Sequence, residues 1–439
     1  MTHTKRIRAA LGAVAVGTTL FACSVDRILA VRDPDIINPS DVNSPAGAEA
    51  VRIGALGRLT AATTGSTGDN ETMFQLSGLL ADEFRSGDSF AERNETDQRS
   101  VQNSNGVLDD AARRLFRARL GAQQAIPLLR QYAPTQTGNI AEQFFVLSFV
   151  ENQAAENFCN GVTFSNAVGA TIVNGSPLTD AQAFQLAADD ADSALVALGS
   201  GGAGTATDYA ARVTKARALV NLGQYQAAAA LVASVPTSFA YRNTHSLTAG
   251  LVNATWEFNN NQKRYVVADT EANIGLNFVS ARDPRVPTGA GGRAFDSSTP
   301  FVEQALYDQE SPMTISSGIE ARLMQAEAAI NSGGNPAAFK TNIDAERAAQ
   351  GLGPIVDPVT QQGRIDLLFR ERAFSLFATG HRLGDLRRLV RQYTRPAASV
   401  FPTGIYFKGG VFGTNTNFPI PQSEQNNPNA LGGCLDRNP

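Results

Sequence analysis

Residues 364–393 read RIDLLFRERAFSLFATGHRLGDLRRLVRQY, a pattern that predicts two helices meeting at Gly380. Asp357 and Pro358 just upstream supply an N-cap and first-turn signal, and Gly380 a left-handed stop. The first helix is apolar almost all round, through Ile365, Leu368, Phe369, Ala373, Phe374 and Phe377, which marks it as buried. Arg370, Glu371 and Arg372 nevertheless sit in its middle. A buried charge is expensive unless paired, so partners must come from elsewhere. The second helix offers Asp385 near its start and Arg387, Arg388 and Arg391 later, an order that also suits the helix dipole. Its apolar side, Leu386, Leu389, Val390 and Tyr393, repeats with helical spacing.

Upstream of this hairpin the helical signals also come in pairs. Leu115, Ala118, Ala122, Ile126 and Leu129 form one stripe, and the Phe-rich run from Phe144 to Phe158 the next. Thr179 with Gln182 is a capping-box pattern opening a helix striped by Phe184, Ala187, Ala191 and Leu195. Leu222-Gly223-Gln224-Tyr225, then Ala228, is the Leu-Gly-x-Tyr-x-x-Ala run of tetratricopeptide (TPR) repeats. The small residues let two helices approach and the Tyr fills the gap between them. From Ile319, past Gly333-Gly334 and an Asn335-Pro336 cap, to Gly351 runs a further helix pair of roughly one repeat length. Residues 235–313 change character: Pro, Gly, Asn and Thr become frequent, and 264–267 and 275–279 read as short strands. Residues 85–106 are polar without a clear period and read either as a binding loop or as a mobile surface excursion.

The expected fold is therefore mostly α: TPR-like helix pairs forming an α–α superhelix, with a smaller irregular lobe of short strands and long loops. The division runs as follows: a signal peptide (1–22), a tether (23–45), an N-terminal helical part (46–234), an irregular insertion (235–313), C-terminal helices (314–393) and a tail packing on the second lobe (394–439).

Glu371-Arg372, then Gly380-His381-Arg382, then Asp385-Leu386-Arg387-Arg388 resemble the C-terminal signature of the SusD/RagB-like family, nutrient-binding lipoproteins of the outer membrane. Phe418-Pro419-Ile420-Pro421, with Glu424 and Asn427-Pro428, is similar to that family's closing segment, and Asp283-Pro284-Arg285 matches a smaller motif. Ser375 and Thr379 stand where members often carry glutamates, and Leu383 where an aromatic is common, departures that touch the ion-pair network more than the fold. The resemblance implies a protein that captures a nutrient and delivers it to a TonB-dependent (SusC-like) transporter, lying over that barrel as a lid.

The N-terminus fits such a role. Lys5, Arg6 and Arg8 precede an apolar run from Ala9 to Ala22, a secretory signal too short to span a bilayer. Leu20-Phe21-Ala22-Cys23 resembles a lipobox, which makes Cys23 the expected lipidation site. Ordinary secretion with cleavage elsewhere is the plainer reading. Cys159 and Cys434 then remain as an even pair in an oxidising compartment, either a disulfide tying the tail back or two unrelated small apolar residues.

A formal charge of −4 supplies no basic stripe for nucleic acid. Three histidines leave little for a metal site, and His381 reads as a helix-end residue. Residues 199–204 fit G-x-G-x-x-G, but a helix rather than a strand precedes them, so they read as an inter-helix linker. No nucleotide-loop, zincin or nucleophile-elbow motif is present, so no cofactor and no enzymatic activity is expected. For a ligand, Trp256 is the only tryptophan and stands beside Asn260 and Tyr265; Phe90, Arg93 and Asn94 form a second candidate group. Sugar binders stack rings on pyranose faces among amides and carboxylates. The scarcity of Trp and Tyr keeps peptides open as well as glycans. A different class also fits: a periplasmic TPR lipoprotein that scaffolds other proteins.

Overall fold

The computed structural model describes residues 42–439 except 69, 169–170, 249, 273, 332–333 and 431. The signal peptide, Cys23 and most of the tether lie outside the described residues. Helices are α1 Pro45–Thr63, α2 Met73–Leu80, α3 Ala91–Asp97, α4 Gly106–Tyr132, α5 Thr137–Asn157, α6 Asp180–Leu198 and α7 Ala206–Asn221. They continue as α8 Tyr225–Leu231, α9 Ala254–Trp256, α10 Gly318–Asn331, α11 Pro336–Ala349, α12 Gln361–Ser375 and α13 Arg382–Arg391. Chain neighbours pack as spatial neighbours from α4 through α8, α1 lies on α4, and α10 packs on α8, α11 and α12. The body is thus the mostly α, TPR-like array that the periodicity predicts.

Local signals explain the helix ends. Thr179 and Gln182 make both bonds of the capping box. Asn335 caps α11 with Pro336 in its first turn. Gly223, at φ +75°, turns the chain between α7 and α8. Two expectations fail: α12 ends at Ser375, five residues short of the expected stop at Gly380, and it is capped by Thr360, whose side chain accepts from the Gly363 N–H. Asp357, three residues earlier, instead forms a two-point ion pair with Arg364.

Strands pair only in twos, all antiparallel, among the described residues. Tyr265–Val267 is a strand, as its apolar run suggests, and pairs with Phe84–Ser86. Residues 275–279 are turn rather than strand, because Phe278 is pulled wholly into a core against Phe374 and Phe377. The polar segment 85–106 is likewise no free loop. It holds α3, and Arg93, Asp97 and Arg99 in it are buried. Period analysis misses α3 because its seven residues include no apolar stripe and are held by polar contacts instead.

The α12–α13 hairpin is buried, and its central charges are paired except Arg370, which donates to the Asn277 side-chain oxygen at 3.1 Å instead. Arg372 and Arg388 both bind Asp385, each at 2.8 Å. Burial pushes the Asp385 carboxyl up, but the two guanidiniums outweigh that and hold it at about 2. Arg388 also meets Glu327, and Arg387 reaches Asp180. Glu371 departs from expectation, since its partners are Arg285 at 2.6 Å and Arg347 at 2.9 Å rather than residues of α13. Gly380 is required twice over: its φ is +73°, and a Cβ would lie 2.2 Å from the Phe74 ring.

Candidate ligand-binding cleft

Three chain segments converge at Gly87. Its N–H donates to the Arg264 carbonyl at 2.8 Å, and its own carbonyl accepts from the Asp296 N–H at 2.8 Å. A Cβ here would stand 2.5 Å from that of Ala294, so only glycine allows the close approach. A fourth segment, residues 404–412, closes the group through Lys408. Its ammonium binds the Asp296 carboxylate at 2.8 Å, the Asn94 side-chain oxygen at 2.9 Å and the Asp88 carbonyl at 2.5 Å. Between them lies a cleft of about 470 Å³, lined by Asp88, Asn94, Asp296, Thr299, Phe407 and Lys408 among others. That volume lies within the usual range for small-molecule sites.

The cleft is electrostatically ordered. Asp88 accepts from Arg93 at 2.6 Å and Arg264 at 2.7 Å. Burial raises its pKa, yet the two guanidiniums and the Phe90 N–H outweigh this and leave it below the usual value. Beneath, the buried Asp97 accepts from the Ser86 N–H and the Tyr406 hydroxyl, each at 2.8 Å. Desolvation nonetheless pushes its carboxyl up to about 7.

Around the rim stand exposed rings: Phe90 at 49%, Phe295 at 46% and Phe407 at 43%. Every other described phenylalanine is buried or partly so. The Arg264 guanidinium lies 4.9 Å from the Phe90 centroid and 3.9 Å from that of Phe295, which holds both rings against a cation. Arg85 and Lys408 flank the Phe407 ring at 5.6 and 5.7 Å. Rings held this way can take an apolar ligand face at little entropic cost, while the carboxylates, amide and ammonium offer directed hydrogen bonds.

No family model matches the sequence, and no curated protein matches it. Solved structures do match. Surface glycan-binding protein A from Bacteroides uniformis superposes with a TM-score of 0.65 at 13% identity, covering 89% of this chain and 99% of its own. A SusD-like carbohydrate-binding protein from Bacteroides fragilis gives 0.62 at 14% identity, covering 89% and 99%. A SusD superfamily protein from Bacteroides vulgatus gives 0.61 at 15% identity, again covering 89% and 99%. The fold is that of the SusD superfamily. The likeness covers 89% of this chain.

Within this SusD-like fold the sequence-predicted residues are sorted as follows. Phe90, Arg93 and Asn94 come together at the cleft, with Arg93 4% exposed beneath the Phe90 ring. Tyr265 is 1% exposed and packed against Phe84 and Phe258, so it is floor rather than a stacking platform. The Asn260 amide is consumed by Glu303 and Gln304. Trp256 is half-buried on α9, its backbone N–H donating to the Asn253 side-chain oxygen. Cys159 and Cys434 are joined, with Cα atoms 5.8 Å apart. The residues that sequence reasoning missed are Asp88, Arg264, Phe295, Asp296, Phe407 and Lys408. Two signals pointed there: Asp296-Ser297-Ser298-Thr299, which forms an aspartate-capped turn, and Phe407-Lys408 before the paired Gly409-Gly410.

Proposed function

We propose that this protein is an outer-membrane surface lipoprotein that binds a glycan in the Phe90–Phe295–Phe407 cleft and passes it to a TonB-dependent transporter. The observation carrying this is that Phe407 lines the polar cleft, while the other two exposed phenylalanines among the described residues, Phe90 and Phe295, flank it on Arg264, which binds Asp88 in its wall. Exposing three large rings costs solubility and is retained where a partner covers them. The SusD-like fold supports glycan as the ligand class, since structures sharing it include a surface glycan-binding protein. Among the described residues no helix is long and apolar enough to cross a membrane. Attachment would therefore rest on acylation of Cys23, with the residues after it as tether. The role is binding without catalysis.

The test is calorimetric titration of the mature chain against a panel of neutral oligosaccharides. Saturable binding that the paired substitution Phe295→Ala/Phe407→Ala weakens tenfold or more supports the reading. Binding indifferent to both rings refutes the cleft. Labelling with a radioactive fatty acid that survives Cys23→Ser refutes the anchor. Co-purification of a large barrel protein supports the transporter, whereas resistance to protease on intact cells favours the periplasmic scaffold.

A further inference from the structure

Residues 404–412 close one side of the cleft as a small hairpin held to the body by few groups. The hairpin is a unit of its own: the Phe412 N–H donates to the Gly404 carbonyl at 2.9 Å, and the Tyr406 N–H to that of Gly410 at 3.1 Å. Gly404, Gly409 and Gly410 all take positive φ, which glycine allows without strain. Ile405 and Val411 face outward, 78% and 64% exposed, while Tyr406 and Phe412 are buried beneath. Inward, Lys408 binds Asp296, Asn94 and the Asp88 carbonyl, and the Tyr406 hydroxyl donates to Asp97. The Gly413 N–H donates to the Gln98 carbonyl at 2.7 Å.

Asp97 sits where the hairpin meets the body. It is 1% exposed; one oxygen accepts from the Ser86 N–H and from Tyr406, and the other has no hydrogen-bond partner among the described residues. Glu271, 5% exposed, has none on either oxygen. Carboxyls sealed from water without donors favour their neutral form. Burial raises both, and the Asp97 charge raises Glu271 further. The other charged or titratable groups facing them are Arg85 on the strand, Tyr406 and Lys408 on the hairpin, and Asp82 after α2. Arg99, just past α3, is turned to the Pro402 and Asn415 carbonyls. Tyr406, Lys408 and Arg85 pull the Asp97 carboxyl down, and burial outweighs them. At Asp296 burial loses to Lys408 and Thr299, which hold that carboxyl far below the usual range, so its pair with Lys408 does not change between pH 5 and 8.

We propose that the 404–412 hairpin is a pH-sensitive strap on this cleft, closed most firmly while Asp97 keeps its proton and loosened when Asp97 ionises. Closed, Tyr406 shields the carboxyl from water, so a charge there is unfavourable. Open, water solvates the carboxylate. The closed state therefore keeps a proton that the open state releases near the usual carboxylate value of about 4. Closure is strongest below that value, weakens roughly tenfold for each pH unit above it, and levels off past about pH 7. Phe407 and Lys408 belong to the strap, so glycan affinity follows it, a consequence that rests on the cleft being the glycan site.

The test is deuterium exchange of the mature chain at pH 5, 6, 7 and 8, corrected for the intrinsic rate and read in residues 404–415. The Gly413 and Asn415 N–H groups there bond to the Gln98 and Arg99 carbonyls. Protection should fall roughly tenfold per pH unit from 5 to 7 and stay level from 7 to 8. Asp97→Asn still accepts from Ser86 and Tyr406 and cannot ionise, so it should stay flat at the parent's pH 5 level. Glu271→Gln leaves Asp97 to titrate and should keep the slope. Parent protection indifferent to pH overturns the proposal, as does a slope that Asp97→Asn retains or Glu271→Gln removes. In calorimetry, the panel oligosaccharide bound tightest at pH 5 should bind more weakly at pH 7, and equal affinity at both overturns the strap's role at the cleft. If no oligosaccharide binds while the exchange profile is as expected, the glycan reading falls and the strap stands.

Discussion

Arg382 and Asp82, 300 residues apart in the chain, form a buried two-point ion pair, Nε to Oδ1 at 2.5 Å and Nη2 to Oδ2 at 2.7 Å. The contact joins the start of α13 to the turn after α2, and so the last helical hairpin to the first part of the body. Removing one partner leaves an uncompensated buried charge. Arg382→Ala or Asp82→Ala should each cost roughly 3–5 kcal/mol in denaturant unfolding, and the double variant less than their sum. Additive losses would show that the pair is not coupled.

Glu83, next to Asp82, is fully buried, and among the described residues its carboxyl makes a single hydrogen bond, accepting the Ala378 N–H at 2.9 Å. Burial pushes its carboxyl up to about 8, from 4.5. The folded state therefore keeps a proton that the unfolded chain releases. This contribution is fully present below about pH 4.5 and is lost as pH rises to 8. Glu83→Gln keeps the acceptor and cannot ionise. It should flatten the stability profile over that window and gain on the order of 2 kcal/mol at pH 8. A variant whose profile falls as steeply as the parent's would discard this account.

The Cys159–Cys434 bond closes a separation of 275 residues and sits where the tail is stitched to the body. Nearby, the Cys159 N–H donates to the Phe418 carbonyl and the Leu435 N–H to that of Asn160. Chain-entropy arguments set an upper bound of about 6 kcal/mol for so long a loop. Cys434→Ser should lower the melting temperature and expose the last residues to carboxypeptidase, with mass spectrometry of the parent finding neither thiol free.

Tyr265 and Phe295 separate stability from binding. Tyr265→Ala empties a site between Phe84 and Phe258 and should cost roughly 3–5 kcal/mol. Phe295→Ala removes a half-exposed ring and should move stability by only about 0.5 kcal/mol, while weakening glycan binding about tenfold. The reverse pattern would return Tyr265 to the ligand.

Helix pairing, the TPR-like bend at Gly223 and the caps at Thr179 and Asn335 were legible because each depends on residues three or four apart; the helix end was not, since α12 stops at Ser375, five residues before Gly380. The same local logic showed that Glu371, Arg372 and the α13 arginines had to be paired. It could not say with what. Asp357 reads as a cap because its real role, the pair with Arg364, looks the same in sequence. The segment 85–106 was opaque because its buried residues are held by hydrogen bonds and ion pairs rather than by a repeating apolar face.

What the amino-acid order settled alone was the helical array and the need to neutralise its buried charges. The tertiary structure decided which distant residues meet: Arg285 and Arg347 on Glu371, Asp82 on Arg382, and Phe90, Phe295 and Phe407 around one cleft. The physical reason is range. Backbone hydrogen bonds and helix faces are written in neighbours, whereas a charge or a ring finds its partner only where folded segments are brought together.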